Sequence, residues 1–130
     1  MSTTDDIIRR FNSVFVDHDA SGLPELVGDD CVMEAIQPAP DGARVEGRQA
    51  CLEFWEALAN DRTTQFEAEE IVVMGERATI RWRLRYGPGA QDYVRGVNLM
   101  LVRDGKIVEA LGYSKTPSGA SSPLAGMTEN

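Results

Sequence analysis

The chain has 130 residues and a formal net charge of −8, from 13 Lys and Arg against 21 Asp and Glu. That length suits one domain around one core, and a negative field repels a phosphate backbone, which sets nucleic acid aside as a partner. With 42% hydrophobic and 26% charged residues the composition is that of an ordinary folded protein, and it excludes a disordered or collagen-like chain.

No apolar run approaches the roughly 20 residues that cross a bilayer, and the opening Met1-Ser2-Thr3-Thr4-Asp5-Asp6 lacks the basic and apolar stretches of a signal peptide. The expectation is a soluble, cytoplasmic protein that uses no membrane. Cys31 and Cys51 belong to no CxxC pair and have no His at metal-ligand spacing. They read as buried, reduced thiols, with neither a disulfide nor a metal site.

From about Asp5 to Asp17, Ile7, Ile8, Phe11, Val14 and Phe15 recur on one helical face, behind capping Ser and Thr residues and an acidic first turn. His18-Asp19-Ala20-Ser21-Gly22 ends this helix. Leu23-Pro24-Glu25-Leu26-Val27 reads as a short second helix closed by Gly28-Asp29-Asp30. Cys31 to Gln37 is a predicted strand, Pro38 to Gly42 a turn, and Ala43 to Glu46 the return strand of a hairpin. A third helix follows from Arg48 to about Asn60, with Ala50, Cys51, Phe54, Trp55 and Leu58 as its apolar stripe.

The period then changes from helix to strand. Gln65 to Met74, Arg77 to Tyr86, Asp92 to Arg103 and Lys106 to Ser114 read as four strands, and Asp104-Gly105 is a favoured two-residue hairpin turn. Arg81, Arg83 and Arg85 alternate with Ile80, Trp82, Leu84 and Tyr86, so the arginines share one face. Antiparallel pairing sets Glu67 and Glu69 beside them and turns Phe66, Ala68 and Val72 toward Trp82. The stretch after Lys115 is rich in Ser, Gly, Ala and Pro and reads as a fraying tail, 117–130, on a single domain spanning 1–130. Helices first and then an antiparallel meander make an α+β domain, whose twisted sheet curls over the helices and encloses a pocket.

This order of elements, with Leu23-Pro24-Glu25-Leu26-Val27-Gly28-Asp29-Asp30-Cys31-Val32, Gly47-Arg48-Gln49-Ala50-Cys51-Leu52-Glu53-Phe54-Trp55 and Asp104-Gly105-Lys106-Ile107-Val108-Glu109, resembles the nuclear transport factor 2-like superfamily. The likeness is to its SnoaL-like and ketosteroid-isomerase-like branch. It implies a cone-shaped α+β barrel in which a curved, mostly antiparallel sheet wraps around three N-terminal helices. It also implies a homodimer and an enzyme without metal or organic cofactor, of isomerase, cyclase or hydrolase type, acting on a small hydrophobic carbonyl or epoxide compound. The alternative is a non-catalytic ligand-binding or dimerisation domain of the same fold. Against the ketosteroid isomerases, the catalytic base position falls at Ala35, the oxyanion-hole Tyr position at Phe11 and the oxyanion-hole Asp position at Asn98. The Arg and Asp pair of the limonene-epoxide-hydrolase-like branch has no match on the Arg81, Arg83, Arg85 strand.

Asn98 is accordingly the first candidate, an amide donor for a ligand oxygen. Its period-two neighbours Gly96 and Met100 share its face, and Phe11, Phe15, Trp55, Trp82 and Tyr86 are the expected apolar walls. Glu34 and His18 are candidate bases, the first requiring a shifted register or bulge to face inward. Gln37, Glu109, Tyr93 and Tyr113 complete the polar groups within reach of a ligand, with cross-strand pairing, capping or rim packing as the alternative role of each. The parity that turns Asn98 inward sends Val97, Leu99 and Leu101 outward with Arg95 and Arg103. An apolar patch rimmed by charge on the outer sheet face predicts a homodimer through that face.

Overall fold

The Thr3 hydroxyl accepts from the Asp6 amide at 3.1 Å and the Asp6 carboxylate accepts from the Thr3 amide, so helix α1 (Thr4–Val16) opens on a reciprocal cap. Its buried residues are Ile7, Ile8, Phe11, Val14 and Phe15, the five of the periodic stripe. The computed structural model describes residues 3–115, and the tail expected at 117–130 lies outside the described residues.

A 3₁₀ turn, Ala20–Glu25, takes the place of the expected helix from Leu23 to Val27, and strand β1 runs Val27–Glu34 where Cys31 to Gln37 was expected. The shift is tertiary in origin. Val27 pairs with Ile107, and the Ile107 amide donates to the Leu26 carbonyl at 2.7 Å, so a distant strand draws Gly28-Asp29-Asp30 out of a local turn. Strand β2 is Arg44–Glu46, and helix α2 is Arg48–Asn60 as expected. Strands β3 (Gln65–Met74), β4 (Arg77–Arg85), β5 (Tyr93–Arg103) and β6 (Lys106–Ser114) follow.

The six strands form one curved, unclosed sheet in the order β2-β1-β6-β5-β4-β3, antiparallel except where β1 runs parallel to β6. The two helices and the 3₁₀ turn cover its concave face. Ile7, Phe11, Leu23, Leu26, Ile80, Met100 and Ile107 form the fully buried centre of the core, and no charged or polar residue is buried among the described residues.

Besides a register shift on β1 between Val27 and Val32, two bulges decide which residues face that core. On β3 the partners step from Ala68↔Trp82 to Glu70↔Arg81, so Glu69 is an extra residue and the alternation changes sides. Ile71 and Val73 therefore pack on the core, whereas Val72, expected inside, is 43% exposed. The hairpin turn at Asp104-Gly105 has both residues at positive φ, as its type requires. Beyond it, β6 pairs Lys106 with Arg103 and Ile107 with Val102, and then Glu109 with Leu101. Val108 is the residue left over. Without it, alternation from the buried Ile107 would point Glu109, Leu111 and Tyr113 inward. With it, the inward residues are Ala110 and Gly112.

On the convex face, Arg81 pairs with Glu70 at 3.3 Å, Arg85 with Glu67 at 3.4 Å and Arg95 with Glu69 at 3.0 Å. These solvated pairs contribute little to stability and instead keep the charges of both signs interleaved.

Cys31 and Cys51 are free, fully buried thiols, and Cys51 Sγ lies 3.5 Å from the Cys31 carbonyl. Burial pushes both thiols above their ordinary value near 9, Cys31 far above it. A group held protonated in the fold but free to ionise when unfolded contributes stability that is complete below that ordinary value and declines as pH rises past it. Unfolding free energy is thus expected to fall above about pH 9. A disulfide-forming thiol reagent at pH 8 should label neither cysteine in the native protein and both in denaturant. Rapid native labelling would contradict this burial.

Candidate functional site

Small residues leave a gap between α2 and the sheet. The end of β1 contributes Met33 and then Ala35 and Ile36 beyond it, α2 contributes Phe54, Trp55 and Leu58, and β3 and β4 contribute Phe66, Trp82 and Leu84. Ala110 and Gly112 of β6 and Asn98 of β5 form the floor. The cavity holds about 160 Å³ and opens toward solvent beside Ile36, Phe54 and Leu58, each nearly 40% exposed. On α2 the core stripe is Cys51, Leu52, Trp55 and Ala59, so Phe54 and Leu58 look into the cavity where core packing was expected, and Ala50 is exposed.

The size sets a limit on occupants. An apolar cavity of about 150 Å³ takes one benzene ring, and drug-sized pockets run to roughly 300–1,000 Å³. A single ring or a short branched chain fits within the walls. A four-ring skeleton does not.

Asn98 contributes the polar side chain of the floor. Trp82 Nε1 donates to Asn98 Oδ1 at 3.1 Å, diagonally across the β4–β5 pair in which Trp82 faces Gly96. An aromatic chain holds the walls from behind. Phe11 packs edge-on against both Phe15 and Trp55, with centroids 5.0 Å apart in each case, Phe15 meets Phe66 at 5.8 Å, and Phe66 meets Trp82 at 5.9 Å.

The structure therefore brings Asn98, Trp55 and Trp82 together at one cavity. Of the other residues expected there, Glu34 borders the cavity and the rest stand elsewhere. Phe11 and Phe15 are buried one layer behind the walls, and Met100 is packed at 1% exposure in the core. Tyr86, just past the end of β4, is 48% exposed and lines an open surface hollow with Arg62 and Pro88. Tyr113 is 54% exposed and paired with Val97, because the Val108 bulge turns it to the convex face. The same bulge carries Glu109 outward to Arg77, 3.3 Å away.

Glu34 borders the cavity, but its carboxylate belongs to the opposite face of β1 from the buried Met33 and bonds Arg44 at 3.2 Å across the β1–β2 pair. Glu46 holds the same guanidinium at 2.7 Å and, with Glu34, raises the tendency of Arg44 to stay charged. Ala35 lines the cavity in its place. His18 lies outside, beyond a wall of Leu58, Phe66 and Leu84. Its Nδ1 lies 2.9 Å from the Ala59 carbonyl and its Nε2 3.0 Å from Gln65 Oε1, so the ring ties the end of α1 to the end of α2 and the start of β3.

Sequence reading missed Phe54, Leu58, Phe66, Leu84, Ala110 and Gly112 as cavity residues. Leu84 was within reach from the parity of Trp82. The β6 pair was not, since a bulge intervenes. Among the described residues no group of His, Cys, Asp and Glu is placed to hold a metal ion, and no helix is long and apolar enough to cross a membrane.

An α+β domain whose curved sheet folds over helices around a small apolar cavity is a nuclear transport factor 2-like domain. The SnoaL-like domain profile matches residues 8–110, and the chain belongs to that family. A crystal structure of a nuclear transport factor 2-like protein of unknown function from Mesorhizobium loti is 56% identical, with a TM-score of 0.82 over 87% of this chain and 91% of that one. A candidate polyketide cyclase from Sinorhizobium meliloti is 24% identical, with a TM-score of 0.66 over 86% of this chain and 99% of that one. A steroid delta-isomerase from Pseudomonas aeruginosa is 15% identical, with a TM-score of 0.73 over 89% and 82% of the two chains. The last two likenesses show the fold. No curated protein matches the chain.

If His18 is a structural tie, replacing it with Ala removes the ring that bridges the Ala59 carbonyl and Gln65 and leaves an oxygen acceptor without its donor. The expected cost is about 1–3 kcal/mol in chemical denaturation, with affinity for a cavity ligand unchanged within about twofold. Lost binding in a variant of undiminished stability would instead assign His18 to the ligand.

Proposed function

We propose that this protein binds a small, neutral, largely apolar molecule of about one ring that carries a single oxygen, a carbonyl or epoxide compound, in the cavity between α2 and the sheet. The observation that carries this reading is the composition of the cavity wall, which is apolar and aromatic apart from the Asn98 amide and, at its border, Glu34, whose carboxylate is bonded by Arg44. Such a surface favours apolar burial, and the amide orients the ligand by one hydrogen bond.

The amide also bears on chemistry. A donor aimed at a carbonyl stabilises the negative charge that develops on its oxygen during enolisation or ring closure. General-base catalysis, usually worth about 10² to 10⁴-fold, needs in addition a proton acceptor at the reacting carbon. Glu34 is the nearest carboxylate in sequence to the cavity, and its bond to Arg44 engages it elsewhere. Ligand binding is therefore the primary reading. The second is a cofactor-independent isomerase or cyclase, favoured by Asn98 and by the names of the two fold relatives above.

The convex face suits a second copy of the chain. Val72, Met74, Leu99 and Tyr113 are exposed there among interleaved Arg and Glu, so a twofold axis sets apolar surface on apolar surface and opposite charges beside one another.

Calorimetric titration with cyclohexanone should show binding that Asn98→Leu weakens about 5–10-fold, the worth of one hydrogen bond. An unchanged affinity would remove Asn98 from the ligand. Deuterium exchange at the ketone's α-carbons, followed by NMR, separates the readings. Exchange faster than buffer that is lost in Glu34→Gln supports the enzyme, and a buffer rate leaves the binder. Light scattering should give twice the 14.3 kDa chain mass, reduced to one by Leu99→Glu. A monomeric native protein would overturn the dimer.

A further inference from the structure

We infer that Trp82 sets the hydrogen-bonding polarity of the cavity, so that the site accepts ligands whose buried polar atom is a hydrogen-bond acceptor and rejects those that offer only a donor. This deepens the preceding reading and rests on it.

A side-chain amide is nearly symmetrical in shape, and an unrestrained Asn presents either its oxygen or its NH₂ group to a ligand. Asn98 is restrained. The indole nitrogen of Trp82 carries a proton and no available lone pair, so it can only donate, and at 3.1 Å it meets Oδ1. Turning the amide over sets NH₂ against N–H, which loses that bond and leaves two partly buried donors facing one another. The indole thus occupies one of the two Oδ1 lone pairs while both protons of Nδ2 stay free, so what Asn98 offers is chiefly a donor.

Two glycines keep the restraint in place. The six-membered ring of Trp82 lies over Gly96, its cross-strand partner, and a Cβ there would collide with the indole carbons Cη2 and Cζ2. Any side chain at position 96 pushes the indole away from Asn98. Gly112 faces Asn98 on the other side, and a Cβ there would stand 3.4 Å from Oδ1 and 3.2 Å from the Glu34 carbonyl. The amide thus lies in a slot bounded by an indole that only donates and by a strand without a side chain. Gly96 and Trp82 are positioning residues, and Asn98 is the group that meets the ligand.

The inference separates molecules of equal shape. Acetophenone and α-methylstyrene differ by a carbonyl oxygen against a methylene, and indole and indene by an N–H donor against a CH₂. The native protein should bind acetophenone about 5–10-fold tighter than α-methylstyrene, and indole no tighter than indene. Because each ratio compares ligands of one size, a variant that enlarges the cavity changes both members of a pair together. In Trp82→Phe the amide is free to turn, so indole should gain about 3–5-fold over indene while acetophenone keeps much of its advantage. Asn98→Leu should bring both ratios to about one, and it serves as the test should Trp82→Phe fail to fold.

A further readout does not depend on a ligand. The Trp82 indole N–H should be protected from solvent exchange in native protein and lose that protection in Asn98→Leu. Equal gains for indole and acetophenone over their partners in the native protein would overturn the polarity lock while leaving the cavity a binding site. Failure of all four compounds to bind would overturn the binding reading and the ligand preference with it. An indole N–H that exchanges freely in the native protein would overturn the lock at its origin.

Discussion

One extra residue on β6 governs the interior of this molecule. Val108 has no partner on β5, and its presence shifts every later residue of the strand to the other face. Were the ladder unbroken, Leu111 and Tyr113 would fill the space under α2 and Glu109 would be driven into an apolar core. The bulge instead offers Ala110 and Gly112 to the concave side. Small residues there, opposite a helix that presents Phe54 and Leu58 at arm's length, leave a gap that neither layer fills. Glu69 performs the matching adjustment on β3, trading Val72 for Ile71 and Val73 and holding the far wall of the core closed while the sheet curls.

The division of labour between the faces follows from those shifts. Every charged group on the central strands goes to the convex side, where water and neighbouring ions solvate it, and the concave side is left with aromatic rings, aliphatic chains and one amide. A lone amide in such surroundings is energetically consequential, because its hydrogen bonds are not replaced by water when a ligand closes over it. Its orientation then becomes the chemical character of the site. Trp82 fixes that orientation through a group that cannot accept, and Gly96 makes room for the indole to do so. Phe11 holds Trp55 from behind edge-on, and Phe15 holds the wall residue Phe66, which in turn meets Trp82, so Phe11 and Phe15 help define a space they do not line.

The groups that could supply acid–base chemistry are engaged elsewhere. Ala35 lines the cavity, Glu34 beside it is spent on Arg44, and His18 is spent on Ala59 and Gln65. An oxygen-binding group remains where acid–base partners do not converge on it. Such a site suits the proposed recognition of a ligand oxygen better than turnover, which is why binding is the primary reading.

Much of this was legible in the chain. Helix α1, helix α2 and the four strands after Gln65 follow from local period, capping and turn chemistry, all of which act within a few residues. The outward arginines and the inward Trp82 and Asn98 follow from alternation along unbroken strands. The sequence by itself thus determined most of the elements, the fold class, and three residues that meet at the cavity. Tertiary structure decided the rest. The hairpin at Asp104-Gly105 alone would set Asn98 opposite Leu111, and only the fit of the sheet over the helices places a bulge that substitutes Gly112. The strand at Val27 forms because β6 offers hydrogen bonds from eighty residues away. His18 looked like a base because it is the one histidine of the chain and falls in line with the stripe of Ile7, Phe11 and Val14, whereas its bonds go to α2 and β3. In each case the deciding contact joins residues far apart in the chain, and its energy depends on packing that no local pattern records.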